Sequence, residues 1–387
     1  MITREAIREL AAFASPAGCA VSFYFQPLTP TNKSHHDELI RAKDLARQAL
    51  HEAEKRGKNT CARADLERIL ALAEQLHGNH ARAKAVFACG SRGLWREFDL
   101  PPRLARSQLF LGHHFHLKPL LALLGGLPRC AVVVADAKRA RVFQVAPDQV
   151  AESSGLFAAV TRRQRSDGFQ GYEAGHAQRR VEDDELHHLK HVSERLKHLA
   201  TRGGFELLAV GCRDETWHLL EPHLHPYVKQ RLLGRFASDP ITASLEQVRE
   251  RVQQLLDAHR ARRSRALLEE VLGEAQSRGR GALGLRDVLA SLERGQIQSL
   301  LLAEDFAARG SQCRACGRLD HRALPHCPLC GEQTDALADL SERLLAQLVR
   351  SGIEVVPVAD PALQRAGGIA ALLRFRAAQG VRRRLAV

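Results

Sequence analysis

Four of the nine cysteines fall into two Cys-x-x-Cys pairs, Cys313 with Cys316 and Cys327 with Cys330, inside the stretch CRACGRLDHRALPHCPLCG. Ten residues separate the pairs, and a glycine follows each, Gly317 and Gly331. Two tight turns that each present two thiolates meet the demand of one tetrahedral zinc ion, and the glycines let backbone amides turn toward the sulfurs. Redox dithiols are the rival reading of such pairs, but two of them at this distance favour a zinc ribbon over 311–332. Four thiolates leave no open coordination position, so the Zn2+ is expected to be structural. His321 and His326, between the pairs, are expected at the surface rather than as ligands.

A second stretch, RSDGFQGYEAGHAQRR from Arg165 to Arg180, places glycines at 168, 171 and 175 and glutamines at 170 and 178 between basic ends. Glycine supplies backbone freedom, and a positioned amide can hold a water and a developing oxyanion, so this reads as a working loop. Arg162, Arg163 and Arg165 before it, and Arg179 and Arg180 at its end, are the charge such a loop needs among RNA phosphates. The helix expected next, from about Val181 to Leu199, carries His187, His188, His191 and His198. His187 and His191 are one turn apart and could clamp a metal, but His188, Leu189 and Lys190 between them make no carboxylate motif, and a solvated or RNA-facing side is favoured. Further basic clusters stand at Arg260, Arg262, Arg263 and Arg265, and at Arg382 to Arg384. No phosphate-loop lysine or Gly-x-Ser-x-Gly elbow supports nucleotide hydrolysis or serine-esterase chemistry.

The elements that must position these residues form three blocks. AVSFYFQPL is a strand ended by proline; a helix follows with Ser34 as its cap, then a second amphipathic helix, then the strands AKAVFACG and LWREFDLP. The second block opens with two β-rich runs, Ala131 to Ala135 and Ala140 to Val145, about a polar turn, and continues through the glycine-rich stretch, the long helix and the strand FELLAVGC, which suits a mixed sheet covered by helices. The third begins with a long helix in SLEQVRERVQQLLDAHRARRSRALLEEVLGEAQ, and then twice runs helix, glycine, strand. That alternation predicts a largely parallel, three-layer α/β domain.

A chain of 387 residues suits two or three domains, and its 45% hydrophobic content is ample for packed cores. Fifty-seven Lys and Arg against 44 Asp and Glu give a formal charge of +13, which makes polyanions natural partners. Only 5% of residues are aromatic, which argues against a surface that reads single strands mainly by stacking bases. The charged N-terminal stretch and the short apolar runs predict a soluble, cytoplasmic protein with no membrane span. Cys19, Cys61, Cys89, Cys130 and Cys212 are then expected as separate buried thiols of a reduced compartment.

The order of blocks resembles a known family. The hairpin AVVVADAKRARVFQV, the Gly/Gln loop, the long polar helix and FELLAVGC are similar to the central domain of the archaeo-eukaryotic peptide-chain release factors and Pelota. GQIQSLLLAEDF, the ribbon, LLAQLVRSGIEVVPV and the glycine pair of QRAGGIAALLRF resemble their third domain. The likeness runs from about Cys130 to Phe375 and is nearest to the bacterial branch of that superfamily, to which Balon-like hibernation factors are related. It implies an α/β multi-domain chain: an N-terminal α/β domain over 1–126, an RNase-H-like central domain over 127–250 with its loop at 165–180, and a kink-turn-binding, ribosomal-protein-like α/β/α domain over 251–387 with the inserted ribbon.

The resemblance also implies binding in the ribosomal A site, with ribosomal RNA, tRNA and a translational GTPase as partners. In release factors the central loop carries Gly-Gly-Gln, whose glutamine orients water onto the peptidyl-tRNA ester. This sequence departs there, with Gly168-Phe169-Gln170 and Gly175-His176-Ala177-Gln178. Gln178, placed just before the expected helix, is the first positional counterpart with Gly175, and Gln170 with Gly168 the second. TNKS, at Thr31 to Ser34, echoes a codon-reading motif but is explained by the Ser34 cap, so stop-codon decoding is not expected. The expected function is that of a non-decoding, ribosome-associated factor in rescue or hibernation. Peptidyl-tRNA hydrolysis through the divergent loop is one alternative. RNA binding or nucleolysis away from the ribosome is the other, for which Asp136 is the one well-placed acid found where two or more would be needed.

Overall fold

The computed structural model describes residues 4–26, 35–55, 59–75, 83–100, 107–120, 128–145, 150–157 and 172–376. The chain divides into two compact units, one formed by residues 1–126 together with 264–387, the other by 127–263.

In the first unit, helix α1 (Arg4–Ala12) leads into strand β1 (Ala20–Phe25), after which come α2 (His35–Lys55), α3 (Asn59–Gln75), β2 (Ala83–Cys89), β3 (Leu94–Leu100) and β4 (Gln108–Gly112). The sheet order is β3-β2-β1-β4, antiparallel throughout. Every residue of β1 is buried, and the alternation of a strand explains how. Val21, Phe23 and Phe25 face one core with Leu66 and Ile69 of α3, while Ala20 and Tyr24 face another with Phe87 and α1. Ser34, expected as the cap of α2, lies outside the described residues.

Cys19 and Cys61 correct the expectation of separate thiols. They are joined as a disulfide, with Cα atoms 5.9 Å apart, and so tie the entry to β1 to the start of α3. The partners are 42 residues apart, and neither stands in a spacing motif that would announce the pairing.

The second unit opens with β5 (Cys130–Ala135), β6 (Arg139–Val145) and β7 (Val150–Phe157), then α4 (Tyr172–Thr201), β8 (Leu207–Gly211), α5 (Asp214–Leu220), α6 (Pro226–Lys229) and β9 (Leu232–Phe236). Its sheet runs β7-β6-β5-β8-β9, antiparallel through β5 and parallel beyond it, the mixed sheet expected. Ala131, Val133 and Ala135 of β5 pack with Leu189, Val192 and Leu196 of α4. Cys130, Val132 and Val134 point to the other side, where α7 (Leu245–Gln276) contributes Val248, Val252 and Leu256. The run CAVVVA is apolar at every position because both faces of the strand are covered.

Helix α7 crosses the boundary between the units, and its later residues Leu268 and Val271 belong to a core of the first unit. That core continues through β10 (Gly281–Leu283), α8 (Gly284–Glu293), β11 (Ile297–Ala303), a small sheet of β12 (Gly310–Cys313), β13 (Leu319–Asp320) and β14 (Thr334–Leu337), then α9 (Ser341–Arg350), β15 (Glu354–Val358), α10 (Pro361–Arg365) and β16 (Ile369–Leu373). The main sheet has the order β10-β16-β11-β15. Here the expectation of a largely parallel sheet fails: only β11 and β15 are parallel, and β16 is antiparallel to both β11 and β10. The last connection is too short for a crossover, a five-residue helix and the pair Gly367-Gly368, both at positive φ (94° and 72°). A Cβ on Gly368 would also lie 2.9 Å from the Phe306 ring, so only glycine fits.

Candidate functional site

The four-cysteine cluster is the best-defined site. Strand β12 delivers Cys313, and the Sγ atoms of Cys313, Cys316, Cys327 and Cys330 all lie within 4.8 Å of one another. Cys313 and Cys330 are 3.4 Å apart, Cys316 and Cys330 3.6 Å, and Cys316 and Cys327 3.7 Å. A disulfide requires about 2.05 Å, so these are four separate sulfurs. Around a zinc ion with bonds of about 2.3 Å, tetrahedral sulfurs stand about 3.8 Å apart, and the cluster is close to that size. The donor set fits the ion.

Each knuckle is built by its glycine. Gly317 and Gly331 adopt φ of 71° and 79°, and their amides close turns onto the carbonyls of Cys313 and Cys327 at 3.1 and 2.9 Å. Other amides then face sulfur: Cys316 N lies 3.4 Å from Cys313 Sγ, and Leu329 N 3.4 Å from Cys327 Sγ. The Cys316 amide pulls the Cys313 thiol down to about 6, and the Cys330 amide lowers Cys327. Such donors favour the thiolate, the form that binds metal, at Cys313 and Cys327, while Cys316 and Cys330, which share their protons with the Cys313 sulfur, are raised. His326 is exposed and His321 half-buried, 3.4 Å from Asp320.

Sequence reasoning missed what secures the knuckles. Gln347 of α9 donates from Nε2 to the Gly317 carbonyl at 2.9 Å, and Arg318 pairs with Glu293 of α8 at 2.5 Å. Arg314 pairs with Asp335 of β14 at 2.7 Å, and Thr334 Oγ1 donates to the Leu324 carbonyl. Leu319 is buried with Leu340 in the core of the unit. These contacts join residues far apart in sequence, and no spacing announces them.

The Gly/Gln segment is placed differently from the expectation. Helix α4 begins at Tyr172, well before Val181, so Gly175 and Gln178 lie within its first turns rather than in a loop ahead of it. The run YEAGHAQRRVEDDEL carries Ala174, Ala177, Gln178 and two arginines, all good helix formers, which outweigh a single interior glycine. Arg179 and Arg180 share that helical backbone; their side chains, like that of Gln178, are outside the described residues. Gln170, Gly168, Arg162, Arg163 and Arg165 also lie outside them, as do Arg382 to Arg384.

The histidines of α4 do not come together as a metal site. His187 and His191 are exposed, and the four cysteines are the only such cluster of three or more among the described residues. His188 is 6% exposed, and its Nε2 is buried without a hydrogen-bond partner among the described residues. Burial lowers its pKa against the opposing pull of the Arg139 carbonyl and of Asp136. Asp136 itself closes the hairpin: its Oδ1 accepts from the amides of Lys138 and Arg139 at 2.7 and 2.6 Å. A carboxylate so engaged is a turn-former.

Residues 116–257, which take in most of the second unit, match the model of bacterial archaeo-eukaryotic release factor family 10.

No curated protein matches the chain by sequence. Among solved structures it is similar to an archaeal translation termination factor, aRF1, at 17% identity over 97% of this chain and 99% of that one, with a TM-score of 0.26. Pelota from Archaeoglobus fulgidus is 14% identical over 97% and 93% of the two chains, with a TM-score of 0.38. Archaeal Pelota in a model of the ribosome-bound protein with ABCE1 is 16% identical over 78% and 80%, with a TM-score of 0.42. Likenesses at these scores carry no assignment. No helix among the described residues is long and apolar enough to cross a membrane.

Proposed function

We propose that this protein is a cytoplasmic, ribosome-associated translation factor that enters the A site without decoding, in ribosome rescue or hibernation. The family match over 116–257 carries the reading. The formal charge of +13 supports it, because binding to ribosomal RNA and tRNA releases counterions. In this reading the second unit is the RNase-H-like domain, and its basic segment, Arg162 to Arg180, faces RNA. The last part of the chain is the kink-turn-binding-like domain, with Cys313, Cys316, Cys327 and Cys330 holding a structural zinc ion. The metal would fix the two knuckles and offers no open position for a reactant. A translational GTPase is the expected delivery partner.

The second reading is hydrolysis of the peptidyl-tRNA ester. The helical setting of Gln178 makes Gln170 with Gly168 the better pair for it, since a residue inside a helix lacks the backbone freedom that glycine-rich release loops use. The two readings separate in one experiment, peptide release from stalled ribosomes carrying labelled peptidyl-tRNA. The leading reading expects the protein to sediment with those ribosomes, less so as salt rises, and to release no peptide. Release abolished by Gln170→Ala but retained by Gln178→Ala would select the hydrolase. Failure to sediment with ribosomes at any salt concentration would refute both.

A further inference from the structure

Helix α9, in the first unit, carries two arginines that no acid answers. Arg343, Ala346 and Arg350 share one face of it, at spacings of three and four. Arg343 is half-buried, yet it makes no hydrogen bond or ion pair among the described residues. Arg350 is exposed and touches only its own helix, Nε donating to the Ala346 carbonyl at 3.3 Å. Burial and the Arg350 charge press the Arg343 pKa below its usual value, against the pull of Asp335 and Glu342. Those two acids are engaged elsewhere: Asp335 by Arg314 at 2.7 Å, Glu342 by His116 at 2.9 Å and the Leu117 amide at 3.0 Å. A half-buried guanidinium whose donors meet no acceptor is costly until something supplies one.

The segment after β4 brings no counter-charge to this face. Ala346 and Val349 pack on the core that holds Phe13 and Phe115, the neighbours of His114. His114 Nδ1 lies 2.9 Å from the Phe13 carbonyl, and His113 Nδ1 3.0 Å from the Ser15 carbonyl. A carbonyl only accepts, so both rings carry their proton on Nδ1. Burial first, then the Arg343 charge, with His113 and Arg350 adding to it, hold the His114 pKa at about 4. The ring is therefore neutral at physiological pH, and the charge between helix and loop stays positive.

We infer that Arg343 and Arg350 form a binding site for a phosphate group, held either as free inorganic phosphate or in an RNA backbone. Phosphate offers an oxygen pair to each of two guanidinium forks, whereas a carboxylate fills one fork alone. The small Ala346 between the arginines leaves both side chains free to converge on one anion. Its charge would offset the repulsion between them. The site stands apart from the basic segment Arg162 to Arg180, so its fate and that of the ribosomal reading are decided separately.

The test uses the full chain, titrated calorimetrically with inorganic phosphate and, separately, with a short single-stranded RNA, against sodium chloride at equal ionic strength. Arg343→Gln should bind the responding ligand about 10- to 150-fold more weakly, the worth of one charged hydrogen-bonding group. Arg350→Gln should weaken it in the same direction, and being exposed it carries the test if Arg343→Gln does not fold. Arg195→Gln, an equal change of charge at an exposed residue of α4, should bind like the native chain. A response to phosphate assigns the free anion, and a response to RNA alone assigns the backbone group. In chloride, Arg343→Gln should unfold no earlier than the native chain, because the charge it removes has no partner. An earlier midpoint would mark Arg343 as a structural residue and overturn the inference. So would binding that neither arginine affects, or no binding of either ligand. A protein that sediments with ribosomes yet fails this test loses the site and keeps its proposed function.

Discussion

At the scale of single residues, the cysteines and His188 make different demands. Cys327→Ser removes one of the four sulfurs that would hold the ion, so the native chain should carry one zinc ion and the variant close to none. Metal analysis by mass spectrometry after gel filtration decides this. Because Leu319 sits in the core and Gln347 grips Gly317, the loss should also lower the unfolding midpoint of the first unit rather than melt the ribbon alone. His188 is held neutral by burial, with a folded pKa below the usual 6.5. Below pH 6.5 the unfolded chain therefore takes up a proton that the native chain resists. Stability must fall as pH drops from about 6.5 toward that lowered value. His188→Leu should flatten this slope, read from urea midpoints between pH 7 and 5. Its loss leaves no orphan behind, because the Arg139 carbonyl already accepts the Asp136 amide at 2.9 Å.

At the scale of elements, the long helix α4 makes the sharpest prediction. A glycine in a helix interior costs about 0.5–1 kcal/mol relative to alanine. Gly175→Ala should therefore stabilise the second unit by about that amount, measured by chemical denaturation. A loss of stability would mean that residue 175 needs the freedom of a loop. The sequence announced much at this scale: the hairpin about Asp136, the buried run CAVVVA, and the knuckle spacing all came from local chemistry. It misjudged the start of α4 because glycine and histidine were read as loop residues, while the helix formers around them prevail. It misjudged the direction of β16 because strand direction follows from connection length and the Gly367-Gly368 turn, which periodicity does not encode. The partners of the ribbon, Gln347 and Glu293, were silent for the same reason: their role exists only once distant elements meet.

At the scale of the whole molecule, the excess of positive charge was readable at once, whereas the covalent tie between Cys19 and Cys61 was not. A cross-link between residues 42 apart removes chain entropy from the unfolded state worth about 4 kcal/mol. Thiol titration of the chain, unfolded without reductant and with chelator present, should count seven thiols rather than nine. Reduction should lower stability by about the amount given, and the double variant Cys19→Ala with Cys61→Ala should not respond to reductant. Nine thiols in protein purified without reductant would show that the pair does not form.

The knuckle-bearing segment leaves the main sheet after β11 and returns at α9, and its two ends meet: β12 pairs with β14 along Gly310 to Leu337, and the Leu340 amide donates to the Ala308 carbonyl at 2.7 Å. To the parent layers the excursion therefore has almost no span. A shortened relative could close the gap with one tight turn, and a lengthened one could grow outward from the tip, with β11 and α9 keeping their places in either case. The cysteine module is in this sense a cassette, and its gain or loss between lineages asks for no redesign of the sheet that carries it.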